Sequence, residues 1–125
     1  MNKPTKKYIQ PEFGLDIPIF AKIYDFYKEL SETITFFPKH KKYTLGQRLD
    51  DTTLEIIKLL SSIPQSNDRI SALKKINIEL DLLKVLLRLA KDTRALPEKK
   101  YLCLSSSLHE AGKMTGGWIR YLKGF

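Results

Sequence analysis

The chain has 125 residues, 42% of them hydrophobic and 29% charged, which suits one soluble folded domain and leaves little room for a second. Its 22 lysines and arginines against 14 carboxylates give a formal charge of +8, so an anionic partner is expected, nucleic acid before membrane. One cysteine (Cys103) and two histidines (His40 and His109) exclude an intrachain disulfide and most metal sites. With no stretch near ~18 consecutive apolar residues and no signal-peptide core, a cytoplasmic protein is expected.

Residues 1–16 hold Pro4, Pro11 and Gly14 with Lys3, Lys6 and Lys7 and show no apolar period, which predicts a flexible basic arm ahead of a bundle domain over 17–123. Asp16 offers an N-cap oxygen and Pro18 suits the first turn of a helix. From there Phe20, Ile23, Tyr27, Leu30, Ile34 and Phe37 recur at steps of three and four, and Pro38 ends the helix. Ile19, Phe26 and Phe36 fall off that stripe. Thr44-Leu45-Gly46-Gln47 fits a capping box that opens a second helix, with Leu45, Leu49, Thr52, Ile56, Leu60 and Ile63 on one face. After the break at Pro64 to Asn67, with Ser66 or Asn67 as cap, a third helix is expected from Asp68 to about Arg94, closed by Pro97. The fourth is expected from about Glu98 to Lys123, with Tyr101, Leu104, Leu108, Ala111, Thr115, Trp118 and Leu122 as its stripe. Nothing reads as a strand. The fold class is all-α, an antiparallel up-down four-helix bundle.

The third helix is apolar on two faces. Leu73, Ile76, Leu80, Leu83, Leu87 and Ala90 suffice for the core. Ile78, Leu82, Val85 and Leu89 form a second stripe, centred about 150° away at roughly 100° per residue. Four branched aliphatics on a monomer's surface would be a sizeable apolar patch, so burial in a homo-oligomer explains the spacing better than a wide core-facing stripe. The order of that oligomer is not written in the spacing.

The positive charge is clustered. Lys39, Lys41, Lys42 and Arg48 stand between residues 39 and 48 with no acid among them. On the third helix Lys84, Arg88 and Lys91 lie within roughly 60° of one another, between the two apolar stripes. On the fourth, His109, Lys113 and Arg120 share a face. Such arrays suit phosphate, because each cation that displaces a condensed counterion adds a salt-dependent increment of affinity. A symmetric oligomer repeats each patch around its axis. No base-reading motif is present, so contact with the backbone or with RNA shape is expected.

Gly112 and Gly116 lie four apart on one helix face, where close packing of a neighbouring helix is expected; the alternative is a groove beside Lys113 and Arg120. Trp118 is expected in the core at the bundle end, and Cys103 as a small buried hydrophobe. No Ser/His/Asp set, Cys/His pair or glycine-rich phosphate loop assembles at sensible spacing. Asp50 and Asp51 are adjacent in a helix and point about 100° apart, which does not make an acid/base dyad. No catalytic residue, metal or cofactor is expected.

Taken in order, Phe37-Pro38-Lys39, Leu45-Gly46-Gln47-Arg48, Leu86-Leu87-Arg88-Leu89-Ala90, Gly112-Lys113-Met114 and Gly116-Gly117-Trp118-Ile119 resemble the Avd-like family of small four-helix-bundle proteins. The resemblance runs from about Ile17 to Leu122. That family includes the accessory variability determinant of diversity-generating retroelements and the proteins encoded in intervening sequences of 23S ribosomal RNA genes. The resemblance implies a barrel-like homopentamer with a basic surface and no enzymatic activity. For the retroelement branch it implies binding to the reverse transcriptase and its RNA, in a complex that makes error-prone cDNA from a template repeat. By analogy Arg88, Lys113 and Arg120 would be contact residues, with Lys39, Lys41, Lys42 and Arg48 at the barrel end. The basic patches favour this nucleic-acid-binding accessory role, with RNA as partner and DNA through its phosphate backbone. The alternative is an intervening-sequence protein of structural or interaction type with no reverse-transcriptase partner.

Overall fold

Pro18, which needs no N–H partner in a first helical turn, opens α1 (Pro18–Ile34) in the computed structural model, which describes residues 18–63 and 67–124. The basic arm over 1–16 and the Asp16 cap lie outside the described residues. The last turn tightens: Thr35, Phe36 and Phe37 donate their N–H groups to the carbonyls of Glu32, Thr33 and Ile34. The helix therefore ends at Ile34, three residues before the expected stop, and Phe37 reaches the core from the turn.

Pro38 then starts the second helix, so the capping box expected at Thr44 does not form. The Thr44 hydroxyl donates to the His40 carbonyl at 2.9 Å, and Gln47 Nε2 donates to Asp51 at 3.0 Å. The helix, labelled α2 as a whole, passes through an α-helical Lys39–Lys41, a π-helical Lys42–Gly46 and an α-helical Gln47–Ser62. Four residues can match a capping pattern while already inside a helix; Pro38 was the stronger start signal. The wide turn is sited at Gly46, where a side-chain carbon would lie 3.0 Å from Ile34 Cγ2 and 3.4 Å from the Lys41 carbonyl. Only glycine lets α1 and α2 approach this closely here without a shift.

Asp68, rather than Ser66 or Asn67, caps α3 (Arg69–Asp92), accepting from the Ser71 N–H at 3.0 Å. Ser66 is outside the described residues. At the other end Ala95 N–H reaches the Ala90 carbonyl and Arg94 N–H the Lys91 carbonyl, a Schellman closure. Pro97 precedes α4 (Glu98–Leu122).

Among the described residues these are four helices and no strand. α1 packs on α2 and α4, and α3 packs on the same two, which is the cyclic order of an up-down bundle with short connections. Most of the core is named by the periodicities, and Leu86, Ala95 and Leu96 join it from outside the stripes. Leu73, Ile76, Leu80, Leu83, Leu87 and Ala90 of α3 are buried, as are Leu49, Ile56 and Leu60 of α2 and Leu104, Leu108 and Ala111 of α4. On α1 the buried face is wider than its stripe: Ile19 and Phe26 are buried inside the single chain, so of the off-stripe residues only Phe36 stays outside. Tyr27 and Ile34 are half-buried. Trp118 is also only half-buried, packed against the edge of the core. Cys103 is exposed, which corrects its expected burial: it lies about 100° from the buried Leu104 on the helix wheel.

Polar groups that enter the core are satisfied locally. The buried Thr53 hydroxyl donates to the Leu49 carbonyl at 2.8 Å, and Thr33 to the Glu29 carbonyl at 2.8 Å. Thr115 of α4 donates to Asn77 Oδ1 of α3 and so fixes the register of those two helices. Tyr27 Oη donates to Asp50 Oδ1 at 2.7 Å between α1 and α2.

Candidate nucleic-acid interface

Helix α3 presents three faces. Its core stripe is fully covered. The second apolar stripe points away from the bundle: Ile78 is 65% exposed, Val85 56% and Leu89 46%, with Leu82 half-buried between them. Leu82 packs in part against the core, and Ile78, Val85 and Leu89 stay largely exposed.

The third face carries Lys84, Arg88 and Lys91. Near the middle of α3, Lys84 leans across to α4, where a carbon added at Gly112 would lie 3.7 Å from its Nζ. Lys84, His109 and Lys113 thereby share a shallow groove between α3 and α4, with Asn77 and Asp81 in its wall. Asp81 is also a neighbour of Lys84, at 3.8 Å and well exposed, an ion pair of small worth. The fold thus joins the second and third basic clusters, which lie some 25 residues apart in sequence.

The glycines of α4 do not serve helix packing as expected. Gly112 faces the Lys84 ammonium, and carbons added at Gly116 and Gly117 would meet only the Arg120 guanidinium, at 3.7 and 3.8 Å. Their small size leaves room for cationic side chains over the helix, which is the groove alternative. The Arg120 guanidinium accordingly lies back along α4, below Lys113.

Not every cation is equally available. Arg88 Nε donates to both carboxylate oxygens of Asp92, at 3.3 and 3.2 Å. Lys91 Nζ is 3.9 Å from the same carboxylate and 4.9 Å above the Tyr101 ring. Lys100 approaches Glu29 at 3.7 Å. Lys113, Arg120, Lys39, Lys41, Lys42 and Arg48 make no ion pair with any described residue. The cluster from Lys39 to Arg48 is helical rather than looped, with Lys39 and Arg48 exposed and Lys41 and Lys42 half-buried. It sits on α2, which does not border α4, so it is a separate patch and not an extension of the groove.

Two details of the third-helix charge come from the structure. The Arg88–Asp92 pair is spaced i,i+4 and was visible as a partial neutralisation of the third-helix patch. Arg94, in the left-handed conformation at φ 65°, carries a further cation at the bundle end; the signal was a helix stop without a glycine. Groups of three or more metal-ligating side chains do not occur among the described residues. None of the described helices is long and apolar enough to cross a membrane.

A family model described as bAvd-like matches residues 18–122. No curated protein and no solved structure matches the chain.

Proposed function

The chain belongs to the bAvd-like family, and from that premise we propose that it is a non-catalytic, nucleic-acid-binding accessory protein of a diversity-generating retroelement. In this role it binds the reverse transcriptase and its template RNA and supports mutagenic cDNA synthesis. The α3–α4 groove carries the proposal: Lys84, His109 and Lys113 converge on one strip of surface, with Arg120 further along the same helix. The row Ile78, Leu82, Val85 and Leu89 is the contact through which copies assemble, a pentamer by family resemblance. Assembly multiplies the groove around an axis, and a repeated cationic strip suits a long structured RNA.

A salt titration of binding to a structured RNA and to duplex DNA tests this, with Lys84→Gln, Lys113→Gln and Arg120→Gln combined as the comparison. The slope of log affinity against log salt is expected to fall by about 0.7 to 0.9 for each phosphate contact removed. Pull-down with a diversity-generating reverse transcriptase tests the partner. Absence of binding to either nucleic acid at about 100 mM salt would refute the charge-based role.

A second function is favoured by one observation: Asp92 already engages Arg88 and Lys91. Charge held within the chain in this way suits a structural or interaction protein of the intervening-sequence type, whose cations keep an assembly soluble. Wild-type protein that assembles but ignores RNA would decide for it.

A further inference from the structure

At the end of the bundle where α1 turns into α2 and α3 into α4, Phe36 is 82% exposed. The backbone that carries the ring is fixed. Its N–H is bonded to the Thr33 carbonyl at 3.0 Å, and Phe37 beside it is anchored in the core. Phe36 borders an open cleft of about 970 Å³ whose other wall is the connection from α3 to α4. Arg94 lies on that wall with φ 65°, at the position after a helix where glycine fits best, so the arginine is kept there against a backbone cost. Its guanidinium makes no ion pair with any described residue. Glu32, Asp92 and Glu98 also line the cleft, with Lys91 and Lys100.

We propose that this cleft binds an unpaired nucleotide of a single-stranded nucleic acid, its base stacked on Phe36 and its phosphate at Arg94. The site rests on the nucleic-acid function proposed above, but it is separate from the α3–α4 groove and takes a different form of the ligand. An exposed aromatic face holds single strands because an unpaired base offers its own face, which a duplex keeps covered. Asp92 is engaged by Arg88 and Lys91, but Glu32 and Glu98 suit a base edge: they accept from exocyclic amino groups such as N4 of cytosine. A duplex keeps its base faces covered and offers Phe36 nothing to stack on. An apolar protein segment would cover Phe36 but set Glu32, Arg94 and Glu98 against apolar surface.

The test is fluorescence anisotropy of the full chain with a labelled strand of about 12 cytidines, and with a duplex RNA of equal length. Phe36→Ala is expected to weaken single-strand binding on the order of 5- to 150-fold, the effect of one lost stacked base, and to leave duplex binding unchanged. Phe36→Tyr, which keeps the ring face, is expected to bind like wild type. Circular dichroism confirms that each variant is folded, as the exposure of the ring leads one to expect. If both nucleic acids bind and Phe36→Ala changes neither, the cleft site is refuted while the groove stands; a cleft made for a protein segment gives this result. Equal loss of both probes in Phe36→Ala would also overturn it. Wild-type protein that binds neither probe would remove the nucleic-acid function itself, and the cleft site with it.

Discussion

Replacing Val85 by aspartate separates assembly from folding. Val85 is 56% exposed and lies between Leu82 and Leu89 on the outward row of α3. An exposed substitution of this kind changes the stability of the single chain by about 0.5 kcal/mol or less. Within an assembly the cost is much larger. Fully burying a branched aliphatic contributes about 1.5 to 3 kcal/mol, so the fractions exposed at Ile78, Val85 and Leu89 leave about 2.5 to 5 kcal/mol to be gained on one side of the contact. Association costs at least about 4 kcal/mol in lost freedom, so the partner's surface must add as much again. Aspartate removes Val85's share and adds the desolvation of a carboxylate, several kcal/mol when unpaired. A loss of about 3 kcal/mol per contact weakens association more than 100-fold. Light scattering at micromolar concentration should therefore give an assembled wild type and a monomeric Val85→Asp with the same circular dichroism spectrum. A monomeric wild type would refute the inference from the second stripe. An assembled variant with unchanged dissociation would show that copies meet elsewhere.

The core stripe of α3 should respond in the opposite way: Leu87→Ala, at a fully buried position, is expected to cost about 2 to 5 kcal/mol in urea unfolding, whatever the state of assembly. Removing the α3 cap with Asp68→Ala should cost about 0.5 to 2 kcal/mol in the same assay. The Tyr27 phenol is held above its ordinary pKa of 10.0, first by its hydrogen bond to Asp50, then by burial and the aspartate charge. The native state therefore keeps a proton that the unfolded chain releases, so stability should decline as pH rises above about 10, and Tyr27→Phe should lose this part of the decline. Arg94→Gly, which relieves the left-handed backbone, should raise stability by about 1 kcal/mol while weakening binding of the single-stranded probe.

Apolar spacing carried the fold because the core of an up-down bundle is built from continuous helical stripes. Every α3 residue on the core stripe is buried, and the outward stripe is exposed at Ile78, Val85 and Leu89 and half-buried at Leu82, as an ideal helical wheel leads one to expect. Alpha-helical spacing could not anticipate the π-helical Lys42–Gly46, since one extra residue in a turn leaves no mark on composition. Its trace is Gly46, required by the approach of Ile34. Ile19 and Phe26 were misplaced for a related reason: α1 lies between α2 and α4 and buries more than one narrow stripe. For the interface, the wheel positions of Lys84, Arg88 and Lys91 were legible. The meeting of Lys84 with Gly112 was not, because it depends on how far α3 is shifted along α4, which Thr115 and Asn77 help to fix. Phe36 and Arg94 stand in connections, where periodicity has nothing to say.

The arrangement on α3 has a consequence for the order in which the molecule's interactions form. The outward row and the Lys84 face are separated by about 120° around one helix axis, a third of a turn. A neighbouring copy seated on Ile78, Val85 and Leu89 would therefore flank the α3–α4 groove without filling it. Assembly and phosphate binding need not compete for α3, and a groove repeated at each protomer would be bordered by the next copy's surface. Binding of a long RNA should then depend on assembly through avidity, although the groove and the apolar row occupy different faces of α3. Val85→Asp accordingly offers a second readout: its affinity for a long structured RNA should fall together with its mass, while its affinity for a short strand held at Phe36 should stay near that of wild type.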